Sequence, residues 1–254
     1  MKYSLCIEPV FTDVDIYHRF ALARQCGVDA VELWGVEERD VAELARVSDG
    51  EGMPIAAISV YDSWKVRLND RQDRVADNLK RTAEIGRQLK CPACIGLSGD
   101  QNACGMGQMM TLVENLRAVA PLLAQNHMQL VVEALNSLVD HKGYFLTSAQ
   151  MAFDIIGCVH APSVQMLYDC YHMQIMEGNL IQSIGGNIAS IGHIHTAGVP
   201  GRHEPYSGEI HYPALIAELE KRNYQGYVGM EFWPTEEPAE AVAKTLRYFR
   251  TGEA

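Results

Sequence analysis

Eight short apolar runs recur along the chain, each followed by a polar loop and then a longer stretch of helical character. They read YSLCIE, VDAVELW, PIAAISV, ACIGLS, MQLVVEA, VQMLYDC, IASIGHIHTA and YVGMEFW. Strands that alternate with helices argue for parallel βα units. The runs are apolar almost throughout, as expected when helices cover a sheet from outside and side chains fill it from within. The expected helices span about Asp13–Cys26, up to about Gly52, Asp70–Leu89, Met106–Asn126, from Thr147 or Ser148 onward, His172–Ile184, Tyr212–Asn223 and Pro238–Arg250. Gly27 is placed to end the first of them. Eight such units in 254 residues fit a single (β/α)8 TIM-barrel domain over 1–254, because barrels of roughly 250 residues fold as one domain. An open doubly wound sheet is the rival. It would carry a glycine-rich turn after the first strand, and that turn reads EPVFTD.

The barrel topology turns four residues into a candidate site. Glu133, Asp169, His195 and Glu231 stand at the ends of the fifth to eighth strands. In a barrel the carboxyl ends of the strands converge on one mouth, where polar residues are catalytic or ligand-binding. Three buried carboxylates in one place need a cation between them. An oxygen-rich set with one imidazole suits Mn²⁺ or Mg²⁺, with Co²⁺ as a further candidate. Taken one at a time, each acid is equally readable as a strand-end partner of an Arg or Lys. His193 lies two residues before His195 and on the same side of its strand. His195 is expected to be the ligand, and His193 a hydrogen-bonded neighbour behind it. His172 follows Asp169 by three residues and is placed to reach a substrate oxygen. Arg202 lies in the Gly/Pro-rich loop AGVPGRHEPYSGEIHY, where a planar guanidinium can hold a carboxylate or phosphate. A solvated surface role remains open for both.

Other features narrow the class. The net charge of −11 disfavours nucleic acid, which needs clustered Lys and Arg. Seven scattered cysteines form no disulfide framework. Cys91-Pro-Ala-Cys94 has redox or zinc spacing but lacks a second pair, and it falls at a helix-to-strand junction, so it reads as packing. Met106, Met109 and Met110 read as helix packing. The opening MKYSLCIEPVFTD shows no long apolar stretch or cleavage pattern, and no run reaches the roughly 18–20 apolar residues of a membrane span. The expectation is a cytoplasmic protein with a small-molecule substrate and no membrane or nucleic-acid partner. Association into a homo-oligomer is also expected, with Trp64 or Trp233 as candidate interface residues.

These residues sit in longer stretches that resemble a known family. GHIHTAGVPGRHEP followed by GEIHYPAL, with YDCYHMQIMEGNL upstream, is similar to the hydroxypyruvate isomerases, within the wider xylose-isomerase-like barrels that include the ketose 3-epimerases. The resemblance runs from FALARQCGVDAVELW to GMEFWP. It implies a barrel with one divalent metal held at Glu133, Asp169, His195 and Glu231. It also implies proton transfer through an enediolate by Glu133 and Glu231, and substrate contacts from His172 and Arg202. The implied activity is interconversion of hydroxypyruvate and tartronate semialdehyde, or of a related 2-hydroxy-3-oxo acid. A ketose 3-epimerase or a keto-inositol isomerase or dehydratase would use the same mouth, and a non-catalytic sugar-binding barrel is the reading from another class. Three departures bear on the substrate. The position of His195 is Gln in many hydroxypyruvate isomerases and His in the 3-epimerases. Val139 stands where the epimerases carry a further Glu. The loops YDSWKVRLNDRQDR and LSGDQNACGM differ from those of hydroxypyruvate isomerases.

Overall fold

The computed structural model describes residues Met1–Ala254. The elements in chain order are β1 (Lys2–Cys6), α1 (Ile7–Val10), α2 (Arg19–Cys26), β2 (Ala30–Leu33), α3 (Val41–Glu51), β3 (Ile55–Ser59), α4 (Gln72–Leu89), β4 (Ala93–Leu97) and α5 (Gly105–Gln125). They continue as β5 (Gln129–Glu133), α6 (Ala149–Val159), β6 (Val164–Asp169), α7 (Cys170–Met176), α8 (Leu180–Asn187), β7 (Ile191–Thr196), α9 (Tyr212–Lys221), β8 (Tyr227–Met230) and α10 (Pro238–Thr251). The eight strands pair in sequence order, and β8 closes back onto β1 in parallel register. This is the (β/α)8 barrel expected from the alternation. No helix is long and apolar enough to cross a membrane.

The core has two parts. A large apolar cluster lies between the strands and the surrounding helices. A smaller one, of Ala57, Ala93, Ile95, Val131 and Leu167, fills the barrel interior. Inward side chains repeat every second residue, so Val131 stands beneath Glu133 and Leu167 beneath Asp169. By the same alternation His193 stands beneath His195 and Gly229 beneath Glu231. The register sets Asp169 beside His195 and His195 beside Gly229. The polar layer at the carboxyl ends of β5–β8 therefore rests on apolar side chains under β5 and β6 and on His193 under β7.

Several boundaries differ from expectation, each for a local reason. The first long helix begins at Arg19 rather than near Asp13. Residues 12–18 form turns, in which Asp15 accepts from the Tyr17 amide and the Arg19 guanidinium holds the carbonyls of Ile7 and Val14. EPVFTD is not an open loop, since Ile7–Val10 make one helical turn. Of the two candidate caps for α6, Ser148 is the one used, its Oγ accepting from the Met151 amide at 3.3 Å. The single helix expected over His172–Ile184 is two, broken at Gly178 (φ +66°) and Asn179 (φ +52°), both left-handed. IASIGHIHTA is strand only over Ile191–Thr196, and its first residues form a 3₁₀ turn. Met106 and Met110 do not pack inward. They are exposed at the start of α5, and Met109 alone is half-buried against the core.

Candidate active site

The four strand-end residues meet. Glu133, Asp169, His195 and Glu231 each bring one ligand atom within 4.8 Å of the others. All four are buried. Glu133, His195 and Glu231 line a cavity of about 180 Å³, together with His172, Arg202, Trp34, Trp64, Trp233 and His141, while Asp169 lies buried behind that lining. The two remaining sequence candidates, His172 and Arg202, thus open onto the same space as the acids. Trp64 and Trp233 stand at the mouth of the cavity, and both keep exposed surface.

The imidazoles are oriented by what lies behind them. His195 Nε2 is 2.8 Å from Glu32 Oε2, and His193 Nε2 is 2.9 Å from Glu32 Oε1. Burial works against the Glu32 charge, but His193 and His195 override it and hold the carboxyl below the usual carboxylate range. An ionised carboxylate only accepts, so both Nε2 atoms donate. The front nitrogen, His195 Nδ1, is 3.1 Å from Glu231 Oε2 and 4.0 Å from Glu133 Oε1. It is buried and lies out of line for any hydrogen bond. His172 is fixed in the opposite sense. Its Nδ1 accepts from the Asn136 backbone amide at 3.2 Å and faces the Asn136 side-chain amide at 2.7 Å. Its proton therefore sits on Nε2, which has no hydrogen-bond partner and is fully buried. Burial, and then the Arg202 charge, lower its pKa well below the ordinary range, so the ring is neutral.

Arg202 enters from the loop after β7, in left-handed conformation (φ +57°). Its guanidinium lies between the rings of Tyr171 and Trp233, 5.2 and 5.3 Å from their centroids. It pairs with Glu231, and with Asp169 at 3.4 Å. The acids respond unequally. Burial, and then the Glu231 charge, push Glu133 up to about 8. Burial also raises Asp169, against the pull of Arg202. Glu231 is held below the carboxylate range, because Arg202 and His195 outweigh its burial. Trp34 Nε1 also donates to Glu231.

This donor set fits a hard divalent cation. Three buried carboxylates share one guanidinium, Arg202, and one ring nitrogen, His195 Nδ1, faces them with no hydrogen-bond partner. Oxygen-rich ligation of this kind suits Mn²⁺ or Mg²⁺ better than a thiolate-seeking metal. Cys91 and Cys94 are far less suited to chemistry. Both are buried, and burial pushes the Cys91 thiol up to about 12 and that of Cys94 further still. A thiol so raised is inert at neutral pH.

Sequence reasoning missed part of the site. Glu32, Trp34, Asn136 and His141 were not singled out. Glu32 had a visible signal, an acid inside the apolar run VDAVELW. Asn136 and His141 lie in an irregular loop whose path no periodicity reveals. Val139, where the epimerases carry a Glu, is exposed and does not line the cavity.

Known proteins bear on the fold and the site together. The family described as xylose isomerase-like TIM barrel matches residues 20–251. The chain belongs to that family. It is 30% identical to the 2-oxo-tetronate isomerase of Pectobacterium atrosepticum, over 92% of each chain. It is also 30% identical to the hydroxypyruvate isomerase of Escherichia coli, over 92% of this chain and 94% of that one. Among solved structures, an AP endonuclease, family 2, from Brucella melitensis superposes with a TM-score of 0.90 at 28% identity, covering 97% of this chain and 98% of that one. As a xylose isomerase-like barrel, the chain keeps its polar constellation at the mouth formed by β5–β8.

Proposed function

We propose that the protein is a metal-dependent isomerase of short 2-oxo-3-hydroxy acids, interconverting hydroxypyruvate and tartronate semialdehyde or their four-carbon analogues. The observation that carries this is the convergence of three carboxylates and His195 in one cluster, with Glu133, Glu231, His195 and His172 lining one small cavity and His195 Nδ1 and His172 Nε2 left without hydrogen-bond partners. A space of about 180 Å³ suits a three- or four-carbon acid. The names of the isomerase relatives support the same substrate class.

Glu133, Asp169, His195 and Glu231 would hold the cation, Mn²⁺ or Mg²⁺. When bound it would supply Lewis-acid stabilisation of negative charge developing on the substrate oxygens. One of Glu133 and Glu231 removes the proton from C3, and the pair returns a proton to C2. The hydroxyl proton passes from O3 to O2, so the C2 ketone becomes an alcohol and the C3 alcohol a carbonyl, an aldehyde in the three-carbon acid and a ketone in the four-carbon one, with no net redox change. His172 Nε2–H donates to a substrate oxygen. Arg202, held flat between Tyr171 and Trp233, orients the substrate carboxylate.

The test is turnover of hydroxypyruvate, 2-oxo-tetronate and a panel of ketoses by Mn²⁺-loaded protein. Isomerisation of the acids with solvent deuterium entering at C2 is expected. Positioned acid–base groups contribute about 10²–10⁴-fold, so Glu133→Gln and Glu231→Gln should each lose activity on that scale. Near-native turnover in either variant with metal bound would refute the assignment. Preference for ketoses over acids would move the substrate to the epimerase class.

A further inference from the structure

Beneath the site lies a second buried polar group for which the proton transfers have no use. Glu32 on β2 is 1% exposed, and His193 on β7 and Ser4 on β1 are equally enclosed. Three donors converge on its two oxygens. Ser4 Oγ at 2.5 Å and His193 Nε2 at 2.9 Å reach Oε1, while His195 Nε2 at 2.8 Å alone reaches Oε2. Nothing there accepts from the carboxyl. Gly229 on β8 makes the room. A Cβ at that position would fall inside contact distance of Glu32 Oε1, and 2.8 Å from His195 Cδ2 and 3.1 Å from His193 Nε2.

We infer that Glu32 is a positioning residue, which fixes the His195 ring with its proton on Nε2 and its Nδ1 lone pair aimed at the other three ligands. Ser4 and His193 orient the carboxylate, and the bare backbone of Gly229 admits it. A carboxylate behind a ligating histidine sets the ring orientation and raises its basicity. The arrangement has a built-in polarity. With Oε1 committed to two donors, Oε2 is the position where acceptor character matters. A Gln at 32 would keep its carbonyl at Oε1 and turn its NH₂ toward His195. The ring would then have to accept with Nε2 and carry its proton on Nδ1, where it blocks ligation. The inference rests on the reading of the four-residue cluster as a metal site.

Mn²⁺ affinity, read from the free-ion EPR signal of full-length protein, tests it without using turnover. Loss of such an outer partner typically costs about 10–100-fold in metal affinity, and Glu32→Gln should raise the Mn²⁺ Kd by that factor. Long-range ¹H–¹⁵N spectra, recorded with diamagnetic Mg²⁺ present, should show the His195 proton on Nε2 in wild type and on Nδ1 in Glu32→Gln. A merely structural role would lower thermal stability and leave that signature alone. An unchanged Kd, within twofold, or an unchanged His195 tautomer would overturn the inference. Should Glu32→Gln fail to fold, Ser4→Ala removes a donor that orients the carboxylate and leaves His195 untouched, and a Kd rise in the same direction, of at least threefold, is required of it. Wild-type protein that binds no Mn²⁺ would sink the metal reading itself, and this inference with it. Wild-type binding with an unaffected variant sinks only the role of Glu32.

Discussion

At the scale of single residues, the site works by fixing which nitrogen of each histidine faces the cavity. His172, in the first turn of α7, and His195, near the end of β7, are tied in opposite senses. Asn136 donates to Nδ1 of His172, leaving Nε2–H as a donor, while Glu32 accepts from Nε2 of His195, leaving Nδ1 as a ligand atom. The same Asn136 accepts from the amides of Val139 and Asp140 and donates to the Asp140 side chain, which in turn accepts from Tyr171. The ring that stacks on Arg202 is therefore anchored through the residue that orients His172. Asn136→Ala removes the closer of two contacts to His172 Nδ1 and loosens Tyr171. Turnover should fall about 10–100-fold, the scale of a lost orienting partner. Mn²⁺ affinity should hold, because His172 lies outside the four-residue cluster proposed to bind the ion. Initial rates and metal titration on one preparation check this, and full activity in the variant would show that the tautomer is set elsewhere.

At the scale of elements, strands were legible and the loops between them were not. The strands announced themselves because a barrel strand is mostly apolar, and β5 and β6 end where a carboxylate turns inward. Glu133 and Asp169 close β5 and β6, so their place in the cluster followed from position alone. Asp169 also caps α7, accepting from the Tyr171 and His172 amides at 2.7 and 3.3 Å. That cap explains why the helix starts before the expected His172 and why His172 faces the cavity. Helix breaks made by backbone conformation, as at Gly178–Asn179, leave little trace in a hydrophobic pattern. The loop after β7 is a case where one backbone position decides a side chain far along it. Gly208 has φ +109°, and a Cβ there would run into the Val199 carbonyl, which is backbone and cannot swing away. Glu209 N bonds that same carbonyl at 2.9 Å, and the loop it closes presents Arg202. Strain of this kind costs about 1–3 kcal/mol per residue, and a 1 kcal/mol loss lowers Tm by about 2–4 °C in a domain of this size. Gly208→Ala should therefore lower Tm by several degrees and reduce turnover at least tenfold through misplaced Arg202. A stable, fully active variant would show that the loop closes without this contact.

For the whole molecule, the barrel gathers negative charge where four strands end. The chain carries a net charge of −11, and its mouth holds three buried carboxylates against one guanidinium. Hydrophobic burial between strands and helices must offset that repulsion whenever the site holds no cation. Arg202 covers part of it, yet Glu133 is still pushed up to about 8 by burial and by Glu231. A ligand that binds the folded chain alone adds RT ln(1 + [L]/Kd), or about 2.7 kcal/mol at a hundredfold excess over Kd. At about 2–4 °C per kcal/mol, saturating Mn²⁺ should raise Tm by about 5–10 °C over the EDTA-treated protein. Asp169→Asn keeps an oxygen to cap α7 but removes a charged ligand, so the variant should fold and lose most of that rise. Scanning calorimetry of both proteins, with metal and with chelator, makes the comparison. Equal melting temperatures for wild type in the two conditions would mean that the four convergent residues hold no ion, and that Arg202 alone balances them.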